Sequence, residues 1–371
     1  MPNLVLYRKY RPKTFAEVVG QEHVVQTLQN AISQGIFSHA YLFAGPRGSG
    51  KTTIARLLAK TLNCEKRAAK DAEPCNKCSS CNEISEGRSI DLIEIDAASN
   101  RGIDEIRELR DGIRFRPTKS KYKIFIIDES HQLSKDAANA LLKTLEEPPA
   151  HAVFILATTE IHKMIPTIVS RCQRFDFRKL TLPEIVGRLE FIARKEKVRI
   201  EKPALELIAL NSEGSVRDAE GLLDQVLVFS GAGEKTIRSA DIKELLGMVD
   251  VNLVSEFVEF LCQNKRKEAL DFLNKIFEKG KDPQEFAKAL IHYLRQGLVL
   301  KINPDLQNPI LTGFSREEQL RLQRQISGFS ELSLRRILKL FLEAEAKMKY
   351  SPILQLPLEL AIIEALQKEE N

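Results

Sequence analysis

The sequence contains no uncharged apolar stretch that approaches the length of a membrane-spanning helix, which requires about 20 residues. Its first residues carry charges where a secretory signal peptide requires an apolar core. We find no internal repeat, low-complexity tract or long flexible linker. These absences argue against a membrane protein, a secreted protein and a repeat protein, and we expect a soluble protein of the cytoplasm with no membrane partner.

Net charge and cysteine content are also low. The formal net charge is only +5, so a nucleic-acid partner is permitted but cannot be argued from net charge. Of six cysteines, four cluster between residues 64 and 81, and Cys172 and Cys262 stand alone in apolar-patterned segments. This pattern favours a metal site and two free thiols over a set of disulfides.

The length of 371 residues exceeds what one hydrophobic core usually supports, so we expect two or three domains. In the first half of the chain, short apolar strands alternate with amphipathic helical patterns, which predicts a parallel sheet with helices on both faces. The strands are expected at residues 40–44, 92–95, 124–127, 153–157 and 175–177.

Strand patterns end after Leu180, and apolar residues then recur at the three- and four-residue spacing of helices. We therefore predict an α/β nucleotide-binding domain at 1–180, a small lid of three helices at 181–245 and an all-α domain at 246–371. Within the last domain, Gly280 should end one helix, and Asp282 with Pro283 should begin the next.

A glycine-rich loop with the spacing Gly-x-x-x-x-Gly-Lys-Thr lies between the first predicted strand and a helical pattern. Small residues in such a loop let backbone N–H groups converge on phosphate oxygens, and the helix N-terminus adds partial positive charge. Lys51 should reach the β and γ phosphates of ATP, and Thr52 should bind Mg²⁺. A glycine-rich turn without a ligand is the alternative, but strand, loop and helix agree on a nucleotide site. Its predicted residues are Gly45, Pro46, Arg47, Gly48, Ser49, Gly50, Lys51, Thr52 and Thr53.

Two adjacent carboxylates, Asp128 and Glu129, follow the strand predicted at 124–127. In open α/β sheets, ligands bind at the carboxyl ends of the strands. We expect Asp128 to complete the Mg²⁺ site and Glu129 to polarise the water molecule that attacks the γ phosphate. The alternative is a pair of solvated acids at a strand end. His131 is expected to pack or to act as a switch rather than as a base.

The clustered cysteines are Cys64 and, after a loop containing Lys and Arg, Cys75, Cys78 and Cys81. Cysteines at such short spacings can bind one tetrahedral ion, and four thiolates leave no open coordination position. We therefore predict a structural zinc (Zn²⁺) site at 64–81, in an insert too short to form a core without metal. An iron–sulfur cluster and a disulfide pair are the alternatives.

With these motifs and several other stretches, the chain resembles the AAA+ clamp-loader ATPases, and the cysteine cluster narrows the resemblance to the gamma/tau subunit family of bacterial DNA polymerase III. The resemblance extends over the whole chain and is strongest from Arg8 to Arg174. It rests on the stretches RKYRP at 8–12, VGQEH at 19–23, DAAS at 96–99, LLKTLEEPP at 141–149, SRC at 170–172 and GSVRD at 214–218. Ser130 departs from the family pattern, in which we expect a valine more often.

The resemblance implies an AAA+ fold and roles for three further residues. Arg171 would be an arginine finger for ATP held by a neighbouring subunit. Arg217 would be a second sensor that reaches from the lid to the γ phosphate of its own chain. Thr159 would be the first sensor, with Thr158 beside it as the rival. From the residues alone, Arg171 cannot be told from a surface salt-bridge residue, nor Arg217 from an ordinary charge at a helix N-terminus.

The resemblance also implies the partners. The helical domain at 246–371 would be a collar that assembles delta, delta-prime and further gamma/tau copies into a pentameric ring. The ring would bind ATP and a sliding clamp and would surround primer-template DNA. Because a loader must act at any sequence, its DNA contacts would be to phosphates, with Asn100, Arg101 and Lys143 as candidates.

The predicted function is therefore that of an ATP-hydrolysing clamp-loader subunit in DNA replication. A non-hydrolysing ring scaffold is a rival, but the intact Lys51, Thr52, Asp128 and Glu129 argue against it. A strand-separating helicase would need a second nucleotide-fold domain, whereas the residues after Leu180 have helical patterns. A small-molecule kinase would need a substrate lid besides the helical bundle, and none is apparent.

Overall fold

The structure is a computed structural model that describes residues 4–68, 70–99, 112–113, 115–230, 236–247, 249–303 and 316–367. The chain forms two compact units, one of Met1–Val198 with Ile208–Val228 and one of Arg199–Leu207 with Phe229–Asn371. Within the described ranges, no helix combines the length and the apolar character that crossing a membrane requires. The division into three domains at 1–180, 181–245 and 246–371 stays a prediction.

A parallel five-stranded sheet with the order β2-β3-β4-β1-β5 lies in the first unit. All expected strands form, and their ends differ from the expected ones by at most two residues, so the predicted α/β architecture is confirmed. The strands are β1 Ala40–Ala44, β2 Leu92–Asp96, β3 Lys123–Asp128, β4 Ala152–Thr158 and β5 Gln173–Asp176.

Helices cover both faces of this sheet. In β1, Tyr41 and Phe43 pack into a core that also includes residues of the helices Glu22–Gln34 and Lys51–Leu62. Ala40 and Leu42 point to the opposite core, which includes residues of the helix Lys135–Glu146. Successive side chains of a strand point to opposite faces, so both sets are buried and the strands are apolar throughout. Polar chemistry is therefore concentrated at the strand ends.

After β5, the described residues form helices and their connections, as predicted, apart from an isolated bridge between Ile200 and Ile237. The first of these helices begins with Thr181 and Glu184 in a capping box, in which Glu184 Oε2 accepts a hydrogen bond from the Thr181 N–H at 2.8 Å. The predicted three lid helices correspond to Leu182–Lys195, Lys202–Asn211 and Val216–Ser230. Shorter helices earlier in the chain are Leu6–Lys9, Ser79–Ser85 and Pro166–Val169.

The second unit contains helices around an apolar core, in which Phe257 and Phe286 lie edge to face with their ring centres 5.4 Å apart. Gly280, with φ of +81°, follows one helix, and Asp282 caps the next by accepting hydrogen bonds from two backbone N–H groups, as predicted. These helices are Ser239–Leu245, Val251–Cys262, Arg266–Glu278, Pro283–Ile302, Arg316–Ser327, Glu331–Met348 and Leu356–Ala365.

Candidate active site and metal centre

The glycine-rich loop connects the end of β1 to the helix Lys51–Leu62. At Gly45, where φ is +152°, a Cβ would lie 2.4 Å from the carbonyl oxygen of Phe177. At Gly50, φ is +100°, and a Cβ would meet no atom within 4 Å. Only glycine accepts both the close approach and the left-handed backbone. The loop is therefore closed against β5 at its start and open at the helix N-terminus, where a phosphate group can bind.

Lys51 is the first residue of that helix, and its side chain is largely buried. Its Nζ donates hydrogen bonds to the carbonyl oxygens of Gly45 at 2.8 Å and Pro46 at 2.9 Å. Burial lowers the pKa of Lys51, and the carboxylates of Glu129 and Asp128 counteract this shift. The ammonium group is thus held at the loop by neutral carbonyl groups, which an anionic ligand can replace.

Thr52 and Asp128 join the loop to β3. The Thr52 Oγ1 donates a hydrogen bond to Asp128 Oδ2 at 2.7 Å. Thr52 follows the loop after β1, Asp128 ends β3, and β4 lies between these two strands in the sheet. Hydroxyl and carboxylate oxygens are ligands that Mg²⁺ prefers. A bound cation would replace the hydrogen bond between Thr52 and Asp128. The donor set therefore fits the predicted Mg²⁺ site.

Glu129 is held at the end of β3 in a left-handed conformation, with φ of +48°. A backbone conformation of this kind is unfavourable for a residue with a side chain and is common at functional sites. Thr159, just beyond β4, donates its Oγ1 hydrogen to Glu129 Oε2 at 2.8 Å. The rival Thr158 is fully buried, and its Oγ1 lies 2.9 Å from His131 Nδ1. Thr159 is thus the threonine that contacts the carboxylate of Glu129.

His131 and Ser130 both have structural contacts. His131 Nδ1 lies 3.5 Å from Glu129 Oε2, in addition to its contact with Thr158. The buried Ser130 donates its hydroxyl hydrogen to the carbonyl oxygen of Ala157 at 3.0 Å. Its hydroxyl group, which a valine would not have, is therefore hydrogen-bonded. The departure at Ser130 is therefore accommodated by packing against β4.

A cavity of about 250 Å³ adjoins the loop. Its lining includes the predicted residues Arg47, Gly48, Ser49, Gly50, Lys51, Thr52, Thr53, Asp128, Glu129 and Arg217. It also includes residues that sequence reasoning did not assign to the site, which are Tyr7, Arg11, Pro12, Glu17, Val18, Val19, Leu180, Arg188, Val216 and Glu220. The cavity thus combines phosphate-binding polar groups with an apolar wall.

The N-terminal wall of the cavity was missed because its residues belong to no regular pattern. The stretches at 8–12 and 19–23 carry the resemblance to the clamp-loader ATPases, but they do not by themselves predict a cavity wall. Gln21 shows why they matter: its buried Nε2 donates hydrogen bonds to the carbonyl oxygens of Ser49 at 3.3 Å and Arg178 at 2.8 Å. It thereby ties the loop to the chain after β5. The only sign of this role in the sequence is that the amide residue Gln21 follows Val18, Val19 and Gly20 directly.

Lid residues complete the cavity. The guanidinium group of Arg217 lies over the ring of Tyr7, 5.0 Å from its centroid. Arg188 donates its Nε hydrogen to Glu220 Oε1 at 2.8 Å, and both side chains are buried. Burial raises the pKa of Glu220, and the charge of Arg188 opposes this shift. The pair of Arg188 and Glu220 connects the two lid helices Leu182–Lys195 and Val216–Ser230, and the contact of Arg217 with Tyr7 connects the lid to the N-terminal segment.

Arg171 does not line the cavity within the described part of the chain. It follows the helix Pro166–Val169, about one third of its side chain is exposed, and it forms an ion pair with Glu146 at 2.6 Å. It also donates a hydrogen bond to the carbonyl oxygen of Thr167 at 2.8 Å. Arg171 is therefore separate from the nucleotide cavity of its own chain.

The four clustered cysteines converge as predicted. Their sulfur atoms all lie within 4.8 Å of one another, and those of Cys75 and Cys81 are 3.9 Å apart. Tetrahedral zinc with bonds of about 2.3 Å would place sulfur atoms about 3.8 Å apart, so the arrangement fits one ion. All six cysteines of the chain are free, which removes the disulfide alternative.

Backbone N–H groups point to the sulfur atoms of the cluster. Cys75 Sγ accepts from the N–H groups of Lys77 at 3.4 Å and Cys78 at 3.3 Å, and these hydrogen bonds lower the pKa of Cys75 to about 6. Burial raises the pKa of Cys81, so an ionised sulfur there requires a nearby cation. Burial likewise raises the pKa of Cys172 to about 12, as expected of an inert thiol.

The candidate DNA contacts are only partly described. Lys143 is exposed on the helix Lys135–Glu146, whereas Asn100 and Arg101 lie outside the described residues.

Three family models match successive parts of the chain. They describe the DNA polymerase III delta subunit over residues 20–181, the ATPase lid domain of the DNA polymerase III clamp loader subunit over 184–232, and domain III of the DNA polymerase III subunits gamma and tau over 237–370. Together they cover most of the chain from residue 20 to residue 370.

Curated relatives match over nearly the whole chain. It is 44% identical over 98% of its length to DNA polymerase III subunit tau of Bacillus subtilis, and 37% identical over 98% to subunit tau of Escherichia coli. The chain covers only 63% and 55% of these two relatives. Its match to DNA polymerase III subunit gamma of Buchnera aphidicola, at 36% identity, covers 98% of both chains.

Among solved structures, a mutant of RuvB from Thermotoga maritima has a similar fold, with a TM-score of 0.50 and 21% sequence identity. The match covers 68% of this chain and 79% of that one. RuvB proteins share the AAA+ arrangement of a parallel sheet followed by a helical lid, and the likeness supports that fold here.

The cysteine cluster leads to a first prediction. The Cys78→Ser variant should lose its metal ion and loosen the insert, because three thiolates and a hydroxyl bind zinc much more weakly than four thiolates. Metal content per chain, measured by mass spectrometry of the purified protein, should fall from one zinc to none.

Cys172→Ser is the matched control, since it removes a partly buried thiol outside the cluster and should keep its zinc. One equivalent of zinc in Cys78→Ser would refute the ligand set, and iron in the unmodified protein would favour the iron–sulfur alternative.

Proposed function

The chain belongs to the family of DNA polymerase III gamma and tau subunits, and on this premise we propose that it is the ATP-hydrolysing motor subunit of a clamp loader. Such a loader opens a sliding clamp and places it on primer-template DNA during replication. The hydrogen bond between Thr52 and Asp128 carries the proposal, because it brings the oxygen ligands of a metal to the phosphate-binding loop. A scaffold subunit without hydrolysis would not need this arrangement.

The loop would bind the phosphates of ATP. Backbone N–H groups at the start of the helix Lys51–Leu62 have no partner within the helix and can donate to phosphate oxygens. Lys51 would exchange its contacts with the carbonyl groups of Gly45 and Pro46 for the β and γ phosphates, since a charged acceptor forms the stronger hydrogen bond. The apolar wall with Tyr7, Val18 and Val19 would contact the base.

Hydrolysis would use the carboxylates at the end of β3. Mg²⁺, held by Thr52 and Asp128, neutralises charge on the phosphates when it is bound. Glu129 would orient a water molecule and accept its proton while the water oxygen attacks the γ phosphorus. The bond between that phosphorus and the bridging oxygen breaks, and ADP leaves with the electron pair. Thr159 would fix the carboxylate of Glu129 and sense the γ phosphate.

Arg217 would report nucleotide state to the lid. It is the second residue of the helix Val216–Ser230, lines the cavity and contacts the ring of Tyr7. A γ phosphate would attract its guanidinium group with a charge–charge interaction, which is stronger than the contact with a neutral ring. Movement of Arg217 would then move the lid with the presence or absence of the γ phosphate.

Arg171 would act in trans as an arginine finger. Its distance from the cavity of its own chain and its partial exposure support a role at the site of a neighbouring subunit. The ion pair with Glu146 does not oppose this role, because exposed ion pairs contribute only about 0–1 kcal/mol. A finger residue supplies positive charge to the transferring phosphoryl group.

The cysteine cluster would hold a structural zinc ion that takes no part in hydrolysis. The helical domain at 246–371 would be the collar of a pentameric ring that includes delta, delta-prime and further gamma/tau copies, working in the cytoplasm. The ring would bind a sliding clamp and contact primer-template DNA through phosphates, with Lys143 as the described candidate. The match to domain III of the gamma and tau subunits and the largely helical second unit support this assignment.

Two variants separate ATP binding from turnover. Lys51→Ala should abolish ATP binding because it removes the charge that faces the β and γ phosphates. Glu129→Gln should retain ATP and stop turnover because its amide cannot accept the proton of water. Calorimetric ATP titration and a phosphate-release assay measure the two effects.

Glu147→Gln, which alters an exposed carboxylate outside the cavity, is the control and should behave like the unmodified chain. Unchanged nucleotide affinity in Lys51→Ala would remove the phosphate-loop assignment, and normal turnover in Glu129→Gln would remove Glu129 from the mechanism.

The trans role of Arg171 predicts a loss that depends on neighbours. Arg171→Ala should leave the ATP affinity of its own chain nearly unchanged and reduce turnover in the assembled ring by about 10³-fold, the usual effect of a finger residue. Arg174→Ala is the control, since Arg174 is a half-exposed arginine three residues away with its own ion pair to Asp176. Rings mixed from Arg171→Ala and Glu129→Gln chains test the assignment. Activity that does not depend on which chains are neighbours would contradict it.

The function as a whole is tested by ATPase activity with and without a sliding clamp and primed DNA. A clamp loader should be stimulated strongly only when both are present, because both contacts complete the hydrolysing arrangement. A scaffold would show no activity with either, a helicase would respond to DNA alone, and a small-molecule kinase would respond to neither. Any of these three outcomes would overturn the proposal.

A further inference from the structure

Glu73 lies in the insert, two residues before Cys75, and its carboxylate connects the insert to the N-terminal segment. Glu73 Oε2 accepts a hydrogen bond from the Phe15 N–H at 2.8 Å, and Oε1 accepts from the Ala16 N–H at 3.0 Å. Oε1 also accepts from Gln29 Nε2 at 3.1 Å. One acidic side chain thus uses both oxygens to hold two successive backbone groups and a side chain of the helix Glu22–Gln34.

The backbone groups that Glu73 holds begin the short 3-10 helix Phe15–Glu17. The first N–H groups of a helix have no partner inside it and need an external acceptor. Thr14 occupies the usual capping position, but its side chain makes no capping hydrogen bond within the described chain. Glu73 supplies this cap from a segment far away in sequence, and a negative charge suits the N-terminus of a helix.

This short helix leads directly into the wall of the nucleotide cavity. Phe15 is almost fully buried in the core that contains Ile54 and Leu58 of the phosphate-loop helix. Glu17, Val18 and Val19 line the cavity. The position of the wall relative to the loop is therefore fixed by the packing of Phe15 and by the cap from Glu73.

The insert is itself anchored to the helix that begins at Lys51. Lys60, in the last turn of that helix, is buried and donates from Nζ to Asn76 Oδ1 at 2.7 Å, between Cys75 and Cys78. Arg67 donates from Nε to the carbonyl oxygen of Thr61 at 3.1 Å. The insert thus contacts both the phosphate-loop helix, through these residues, and the short helix that precedes the wall residues Val18 and Val19, through Glu73.

We infer that Glu73 is a positioning residue of the nucleotide site, and that the cysteine-organised insert fixes the distance between the apolar wall at Val18–Val19 and the phosphate loop. The inference rests on the proposed nucleotide site. The insert thereby gains a role in nucleotide affinity without contact to the reacting atoms. Glu73 acts on the base-binding side of the cavity, so it should affect binding of ADP and ATP alike and leave the chemical step at saturating ATP unchanged.

The test compares Glu73→Gln and Glu73→Ala with Asp91→Asn. Asp91 is a buried carboxylate of the same unit that accepts from the N–H groups of Thr118, Lys119 and Ser120 at 2.7, 2.9 and 2.8 Å. It does not line the cavity. Glu73 and Asp91 each accept hydrogen bonds from backbone N–H groups of a distant segment, so variants of either residue should lower the melting temperature. Only the Glu73 variants should change nucleotide affinity.

The ADP dissociation constant, the turnover number at saturating ATP, the zinc content and the melting temperature are measured for each variant. In Glu73→Ala the dissociation constant should rise about tenfold, or about 1.4 kcal/mol, because the released wall must be ordered again when nucleotide binds, with turnover and zinc content unchanged. Glu73→Gln keeps one acceptor oxygen and should show a smaller rise. A rise below twofold in Glu73→Ala, or an equal rise in Asp91→Asn, would overturn the inference.

Loss of metal provides a second arm. Cys78→Ser should raise the ADP dissociation constant in the unmodified background and add nothing in the Glu73→Ala background, because both changes release the same wall. Fully additive effects would contradict the shared route. An unmodified chain that binds no nucleotide would instead refute the proposed function, so the two failures are distinguishable.

Discussion

The hydrogen bond between Thr52 and Asp128 depends on one constraint, which is the parallel order of β1, β4 and β3. In a parallel sheet all carboxyl ends meet at one edge, so the residues that follow each strand converge there. The phosphate loop follows β1, the two carboxylates follow β3, and Thr159 follows β4. The chain after β5 closes behind Gly45 through Phe177. The phosphate loop, the two carboxylates and Thr159 are thus brought together by the ends of these strands, while the N-terminal segment and the lid helices supply the rest of the cavity lining.

Both faces of the sheet are buried, and the polar groups of the candidate site therefore lie in partly buried positions at the edge of the sheet. The strands bring apolar side chains to two helical layers, and the edge alone remains for charged residues. Lys51 is held there against the cost of burial by carbonyl groups and nearby carboxylates. Glu129 is held in a left-handed backbone conformation. Burial of a charge and a left-handed backbone are both unfavourable in free energy. Such conformations are expected in a binding site that is formed before its ligand binds.

The two halves of the segment from Gly45 to Cys81 have different but connected parts in this arrangement. The loop faces the cavity, and the cysteine cluster lies behind it at the other end of the same helix. Lys60 connects that helix to the cluster, and Glu73 connects the cluster to the wall formed by the N-terminal segment. The insert is therefore linked to the candidate nucleotide site through hydrogen bonds, although none of its residues lines the cavity in the described chain. Arg171 is placed differently, since it is partly exposed, pairs with Glu146 and does not line the cavity.

The sequence by itself determined the sheet, the helical lid, the boundaries around Gly280 and Asp282, and the convergence of the cysteines, because these follow from local periodicity and short spacings. It also indicated the loop and the carboxylate pair, since each is a continuous motif. Only the tertiary structure placed Thr159 rather than Thr158 against Glu129, and only it brought Tyr7, Val18 and Val19 to the cavity. It alone revealed the cap from Glu73. These contacts join segments far apart in the chain, and no local pattern encodes which distant backbone group a side chain will meet.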